Sequence, residues 1–387
     1  MAKKLDNRIT KIAASQTIEV DTAAKKLIAS GVKVYNFSCG EPDFAAPAFV
    51  RQSLVKAFNQ GKTKYGASLG DPVLREEITR KLKRDNGLSY NVDNIAVTNG
   101  CKQALYNTFC AILNEGDEVI VYSPFWVSYT EQIKLAGGRP RIVRTDKNLE
   151  PDIQRTRQAI GSRTKAVIIN SANNPTGMVY SRQRLQELAK MFIQHDLYVI
   201  TDDVYEKLVY DNTKFYSIAQ FMKAAKKRVL VINGISKAYA MTGFRVGYVA
   251  ADKEIIGLIN RLQSHSTGNV CGVAQVAAED VLRRGDEFVE QGRQIFQKRR
   301  DLVAGLLKQN KRIKYIEPQG AFYFFIDISE IEKDSSKFCQ QLLEQEKVAT
   351  VPGVAFGQEG HVRISFANKE SDLRAGIKKF NLFCKRY

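Results

Sequence analysis

Short apolar runs rich in β-branched residues recur through the middle of this 387-residue chain, and each is followed by a polar turn or a helical pattern. They are Asn94–Thr98, Glu118–Val121, Lys165–Ile169, Leu197–Ile200, Arg228–Ile232 and Arg245–Val249. Runs of this length and continuity mark strands buried on both faces. Between two of them Leu185, Leu188, Ala189 and Phe192 form one apolar stripe of a helix. Asp71-Pro72 opens another, with Asp at the N-cap and Pro at the first helical position. Strand–helix alternation predicts a mostly parallel sheet covered by helices, an α/β fold. Ligands of such sheets sit beyond the carboxyl ends of the strands.

After about residue 290 the rhythm changes. A helix over Gln291–Gln309, the run Ala321–Asp327, a helix over Ser336–Glu346, the run Val362–Phe366 and a last helix predict a second, smaller α+β domain. The first ~45 residues lack the βα rhythm and are expected to pack with it. No repeat, low-complexity tract or Gly/Ser linker interrupts the chain.

Charge and cysteine usage narrow the class. The net charge of +18 comes from basic residues scattered among acidic ones, with no zinc-finger, RNP or basic-zipper pattern, so solvated helix faces explain it better than a nucleic-acid groove. The same excess suits capture of acidic substrates. No stretch approaches the roughly 20 apolar residues of a membrane span, and no apolar run follows the basic residues of Met1–Arg8 as a secretory leader requires. Six dispersed cysteines without C-x-x-C and only three histidines favour free thiols and no metal centre. A cytoplasmic protein is expected.

The strand ends carry the chemistry. Thr98-Asn99-Gly100-Cys101-Lys102 joins a strand to a helix whose N-terminus suits an anion. Asn173-Asn174-Pro175-Thr176-Gly177, Thr201-Asp202-Asp203-Val204-Tyr205, Ser236-Lys237 and Arg245 follow or adjoin later strands. Singly each reads as a turn, a helix cap or a surface cation. Together they supply a Lys for a Schiff base, an Asp for a pyridinium nitrogen, Tyr and Asn for a phenolate oxygen, and Arg with a helix N-terminus for a phosphate. That is the equipment for pyridoxal 5′-phosphate (PLP).

Over essentially its whole length the chain resembles the fold-type I, class I/II aminotransferases, and among them the bacterial-type aspartate aminotransferases. The matching blocks include Asn36–Phe44, Lys64-Tyr65 with Gly70, Pro124–Tyr129, Asn173–Gly177, Asp202–Tyr205, Ser236–Gly247, Pro318–Tyr323, Pro352-Gly353 and Val362–Ser365. The resemblance implies a three-layer α/β/α large domain over 48–288 with a mostly parallel mixed sheet. It also implies a small domain from 1–47 and 289–387. It implies that Lys237 forms the aldimine with PLP and shuttles the proton between Cα and C4′, and that Asp202 pairs with the ring nitrogen. Tyr205 and Asn174 then bond O3′ and Trp126 stacks on the ring. Arg245, Ser236 and the backbone around Gly100, Cys101 and Lys102 are then expected to hold the phosphate. Tyr65 reaches the cofactor of the other subunit in a homodimer. Arg363 clamps the substrate α-carboxylate, which Gly40 lets the backbone approach.

Ser15, Thr17 and Lys102 match positions that bind a distal carboxylate, so aspartate and 2-oxoglutarate are the expected amino- and oxo-acid substrates. Prephenate, which also has a second carboxylate, is the alternative or an additional acceptor. A PLP-dependent C–S lyase shares the fold and cofactor; a transcriptional regulator on this fold would need an added DNA-binding domain. The chain departs from the family at Phe244, where Trp is commoner, at Thr201-Asp202-Asp203-Val204-Tyr205 for the usual Ser-Asp-Glu-Ile-Tyr, and at Cys39 and Cys101, more often Ala or Gly. None of these removes a reactive group.

Overall fold

The computed structural model describes residues 6–386; the first five residues, on which the leader reading rests in part, and Tyr387 lie outside the described residues. Eight strands come first: β1 (Tyr35–Asn36), β2 (Ile95–Thr98), β3 (Glu118–Ser123), β4 (Arg139–Arg144), β5 (Thr164–Asn170), β6 (Tyr198–Asp202), β7 (Val229–Gly234) and β8 (Gly247–Ala250). The last seven form one sheet in the order β2-β8-β7-β6-β5-β3-β4. Strands β3 to β7 pair in parallel, whereas β8 is antiparallel to both β2 and β7.

Both faces of this sheet are buried, as the apolar runs require. Ile95, Val97, Ile120 and Tyr122 belong to one buried cluster, and the alternate residues Ala96, Val119 and Val121 to another. The stripe Leu185, Leu188, Ala189 and Phe192 is buried in the helix Arg182–Gln194. The helix Pro72–Asn86 begins at Asp71, whose side chain accepts from the Val73 amide at 3.0 Å, and ends at Gly87 with φ 63°. The strand of this sheet that the sequence did not predict is β4, Arg-Pro-Arg-Ile-Val-Arg, which is mostly exposed at one edge.

The later chain adds β9 (Lys314–Tyr315), β10 (Tyr323–Asp327), β11 (Val348–Ala349), β12 (Val351–Pro352) and β13 (His361–Ser365). An antiparallel sheet β12-β13-β10-β9 forms, and β1 pairs in parallel with β11. Phe296, Phe322, Phe324, Phe338 and Phe380 fill a third cluster here, each worth about 1.5–3 kcal/mol of burial. The helix Gln16–Ala29 joins the same side through a small cluster of Ala24, Val34 and Ala349. Among the described residues no helix is long and apolar enough to cross a membrane.

Candidate active site

The carboxyl ends of β2, β3, β5, β6 and β7 lie along one edge of the large sheet. Because β8 runs the other way, its first residue joins them: Gly247 stands opposite both Thr98 and Gly234. Above this edge is a cavity of about 550 Å³. It brings together every predicted site residue except Gly100, Ser15 and Tyr65.

Lys237 follows β7 and is partly buried; its Nζ donates to the Gly40 carbonyl at 2.6 Å. Burial lowers the amine's pKa to about 8, against smaller raising effects of Cys101, Cys39 and Glu41. Asp202 ends β6 and is 4% exposed. Its Oδ2 accepts from the Tyr129 hydroxyl at 2.6 Å. Burial pushes its carboxyl up to about 6, with the Tyr129 bond and the nearby Lys237 pulling it down. A cation beside Asp202 therefore relieves a desolvated carboxylate.

A second group lies around Arg363 on β13. Its Nη1 donates to Asn174 Oδ1 at 3.0 Å and its Nη2 to the Ser38 carbonyl at 2.6 Å. The guanidinium carbon is 4.4 Å from the Tyr323 ring centre, and Nε is buried without a protein partner. Tyr323 and Tyr205 share a hydrogen bond of 2.9 Å between hydroxyls. A Cβ at Gly40 would come within 2.6 Å of the Tyr323 hydroxyl, so only glycine lets this backbone lie so close.

The third group is a cradle at the helix Cys101–Ile112. Gly100 caps that helix with φ 80°, and a Cβ there would meet Arg245 Nη2 at 2.5 Å. A Cβ at Gly247 would sit 2.5 Å from the Cys101 nitrogen. Arg245 itself is left-handed, with φ 55°, which turns the chain into β8. Helix amides, Ser236 and an arginine thus converge where an anion is favoured. Burial raises the Cys101 thiol to about 12 and the Cys39 thiol to about 11, so both stay protonated at neutral pH. Trp126 meets Tyr129 edge-on with ring centres 5.3 Å apart, and the Lys102 amine stands 5.3 Å from the Trp126 ring. Partial burial, then the charge of Arg245, lowers the pKa of that amine.

Thr17 lines the cavity, while Ser15 caps the helix Gln16–Ala29 and bonds Thr17 hydroxyl to hydroxyl at 2.9 Å. Tyr65 is fully exposed and outside the cavity of its own chain. Among the cavity residues with no role assigned from sequence are Tyr129, Tyr323 and Asn170. Tyr129 and Tyr323 fall inside matching blocks, but their bonds to Asp202 and Tyr205 link residues 73 and 118 positions apart. Asn170 ends β5, accepts from the Asn174 amide at 2.9 Å and donates to the Asp202 carbonyl at 2.9 Å, tying two site segments together. Its place at a strand end was the available signal. Among the described residues no group of His, Cys, Asp and Glu is disposed to hold a metal ion.

The donor set answers the parts of PLP one by one: an amine of lowered pKa for its aldehyde, a buried carboxylate for its ring nitrogen, and an arginine and helix amides for its phosphate. The molecule is on these grounds a PLP-dependent α/β enzyme. Residues 32–380 match the family Aminotransferase class I and II, and the chain belongs to that family of transferases. It is similar to an aspartate aminotransferase of Bacillus sp. (strain YM-2), 39% identical over the full length of both chains. It is also similar to an aspartate/prephenate aminotransferase of Thermus thermophilus, 41% identical over 97% of each. A solved structure of the Thermus thermophilus aspartate aminotransferase with maleate superposes with a TM-score of 0.95 at 40% identity, over 99% of this chain and 100% of that one.

Proposed function

We propose that the protein moves the amino group of L-aspartate to 2-oxoglutarate, giving oxaloacetate and L-glutamate, in two half-reactions that share one site. The observation that carries this reading is the pair of cations on the cavity wall, buried Arg363 and the Lys102 amine, which together suit a dicarboxylic substrate. The relatives named aspartate aminotransferase support it.

Bound PLP supplies an electron sink that lets the substrate Cα–H bond break. Lys237 would hold the cofactor covalently and, once released, would carry the proton to and from Cα; burial lowers its pKa to about 8, toward the neutral amine this needs. Asp202 keeps a proton on the ring nitrogen, and Tyr129 orients Asp202. Tyr205 and Asn174 bond the ring oxygen, and Trp126 covers the ring. Arg245, Ser236 and the amides from Gly100 to Lys102 hold the phosphate. Arg363 forks onto the α-carboxylate, for which Asn174 and Ser38 already fix two of its nitrogens, and Gly40 leaves room. Lys102, Thr17 and Ser15 receive the distal carboxylate. Tyr65 acts in the other subunit's site in a homodimer, consistent with its full exposure here.

Prephenate is proposed as a second acceptor, since a relative named for both activities is 41% identical. We also propose a division into a domain of residues 48–288 and one of 1–47 with 289–387, supported by the separation of the seven-stranded sheet from the four-stranded one, with Ala172, Tyr205 and Leu208 of the larger part packed into the smaller part's cluster. Six free cysteines, Cys271 exposed among them, support a reducing, cytoplasmic setting. The test is to add L-aspartate to the purified PLP-bound protein and follow the cofactor's absorption, then add each oxo acid. Conversion by aspartate and recovery with 2-oxoglutarate is the expected result. Conversion by an aromatic donor alone would overturn the dicarboxylate reading.

A further inference from the structure

One cluster of charge lies inside the protein and outside the cavity. Lys81, on the helix Pro72–Asn86, and Glu206, next to Tyr205, form an ion pair with side chains only 4% and 6% exposed. The donors around the carboxylate come from two elements: Lys81 and Asn86 from the helix Pro72–Asn86, and Asn233 from β7. Glu206 Oε1 accepts from Lys81 and from Asn233 Nδ2 at 2.8 Å, and Oε2 accepts from Asn86 Nδ2 at 2.6 Å. Lys81 also donates to Asn86 Oδ1 at 2.8 Å. Asn233 in turn accepts from the Gly234 amide at 2.7 Å, at the end of β7 and just before Ser236-Lys237.

A buried ion pair is a poor source of stability, because desolvation offsets the Coulomb gain and apolar replacements of like volume do as well or better. What this one does is geometric. It joins the turn that carries Tyr205 to the strand end that leads into Lys237, and anchors both to a helix that contributes nothing to the cavity wall. We propose that Glu206, held by Lys81, is a positioning residue that sets Lys237 and Tyr205 at the spacing the cofactor requires. The proposal rests on the reading of Lys237 as the PLP-binding lysine.

The test uses E206Q and K81M/E206Q, with E77Q/R283M as a control that alters another ion pair of the same helix without touching the bonds of Glu206. For each apoprotein the PLP dissociation constant, the pH midpoint of the bound cofactor's absorption change and the unfolding temperature are measured. Expected are a dissociation constant raised about tenfold or more and a displaced pH midpoint in both Glu206 variants, and neither change in a control of similar unfolding temperature. Wild-type values in both variants, the same losses in the control, or failure of both variants to fold would each overturn the positioning role in favour of a purely structural one. Borohydride reduction of wild-type holoenzyme followed by peptide mapping separates the two readings. Label absent from Lys237 defeats the site assignment itself, whereas label on Lys237 with unaltered variants defeats only the role of Glu206.

Discussion

Burial moves Lys237 and Asp203 away from their solution protonation states, and each shift has a measurable sign. With a pKa near 8, the Lys237 amine is neutral above that pH and roughly one-tenth neutral at pH 7. Covalent capture of PLP by apoprotein should therefore speed up several-fold from pH 7 to 9 and then level off. A rate flat across that range, read by absorbance, would contradict the shift. Asp203 is 1% exposed, has one carboxylate oxygen without a partner, and is pushed up to about 7 chiefly by burial. Its folded pKa exceeds the ordinary 3.8, so the native state binds the extra proton and stability falls as pH rises between about 4 and 7. Asp203→Asn should raise the unfolding temperature at pH 8, by about 1 kcal/mol or more of stability, and lose that gain near pH 4. Lys102→Ala should raise KM for aspartate at least about tenfold more than KM for an aromatic donor, the loss of one charge-assisted bond; equal effects would remove Lys102 from the distal subsite. The residues of the cavity wall were legible at this scale where each sits in a short block whose chemistry is local. Tyr129, Tyr323 and Asn170 were not, because their partners are brought to them only by the fold.

Elements position those residues with little slack. The start of β8 lies against the Gly100–Cys101 turn, where a Cβ on Gly247 would also stand 2.6 Å from the Gly100 carbonyl carbon. That neighbour is backbone and cannot swing aside. Gly247→Ala should consequently weaken PLP binding by about tenfold or more through displacement of the anion cradle, measured by titration of the apoprotein. Unchanged affinity would mean that the turn gives way freely. The buried strands were readable because residues facing both sides of the sheet are apolar. Strand β4 was not: its position at the edge leaves it exposed, and Arg and Pro there are the residues that discourage pairing with another chain. The reversed direction of β8 was equally hidden, since a buried strand reads the same in either sense. The N-cap at Asp71 was visible because capping is a contact between near neighbours.

At the scale of the whole molecule, the cavity draws on segments from Thr17 to Arg363, so it exists only when the seven-stranded and the four-stranded sheets are both in place. The proposed sharing of sites between two subunits makes a further prediction. Lys237→Ala and Tyr65→Ala proteins should each be nearly inactive, yet mixing and reassociating them should restore activity toward about a quarter of wild type. Half of the dimers are then mixed, and one of the two sites in each is intact. No recovery after subunit exchange is demonstrated would place Tyr65 outside the neighbouring site. The separate four-stranded sheet was visible in the change of rhythm near residue 290; the proposed assembly rests on resemblance, because a surface tyrosine carries no local mark of a partner. The strand order has a consequence for synthesis. Among the described residues the one strand paired with β2 is β8, and their paired residues run from Ile95–Ala250 to Thr98–Gly247, a separation of roughly 150 positions. At about 5–20 residues per second, a nascent chain carries β2 on the ribosome for some ten seconds or more before that neighbour has been made. The rest of the parallel strands can assemble in that interval, but the slot beside β7 must stay open for the last strand, so the anion cradle is among the final parts of this protein to come into being.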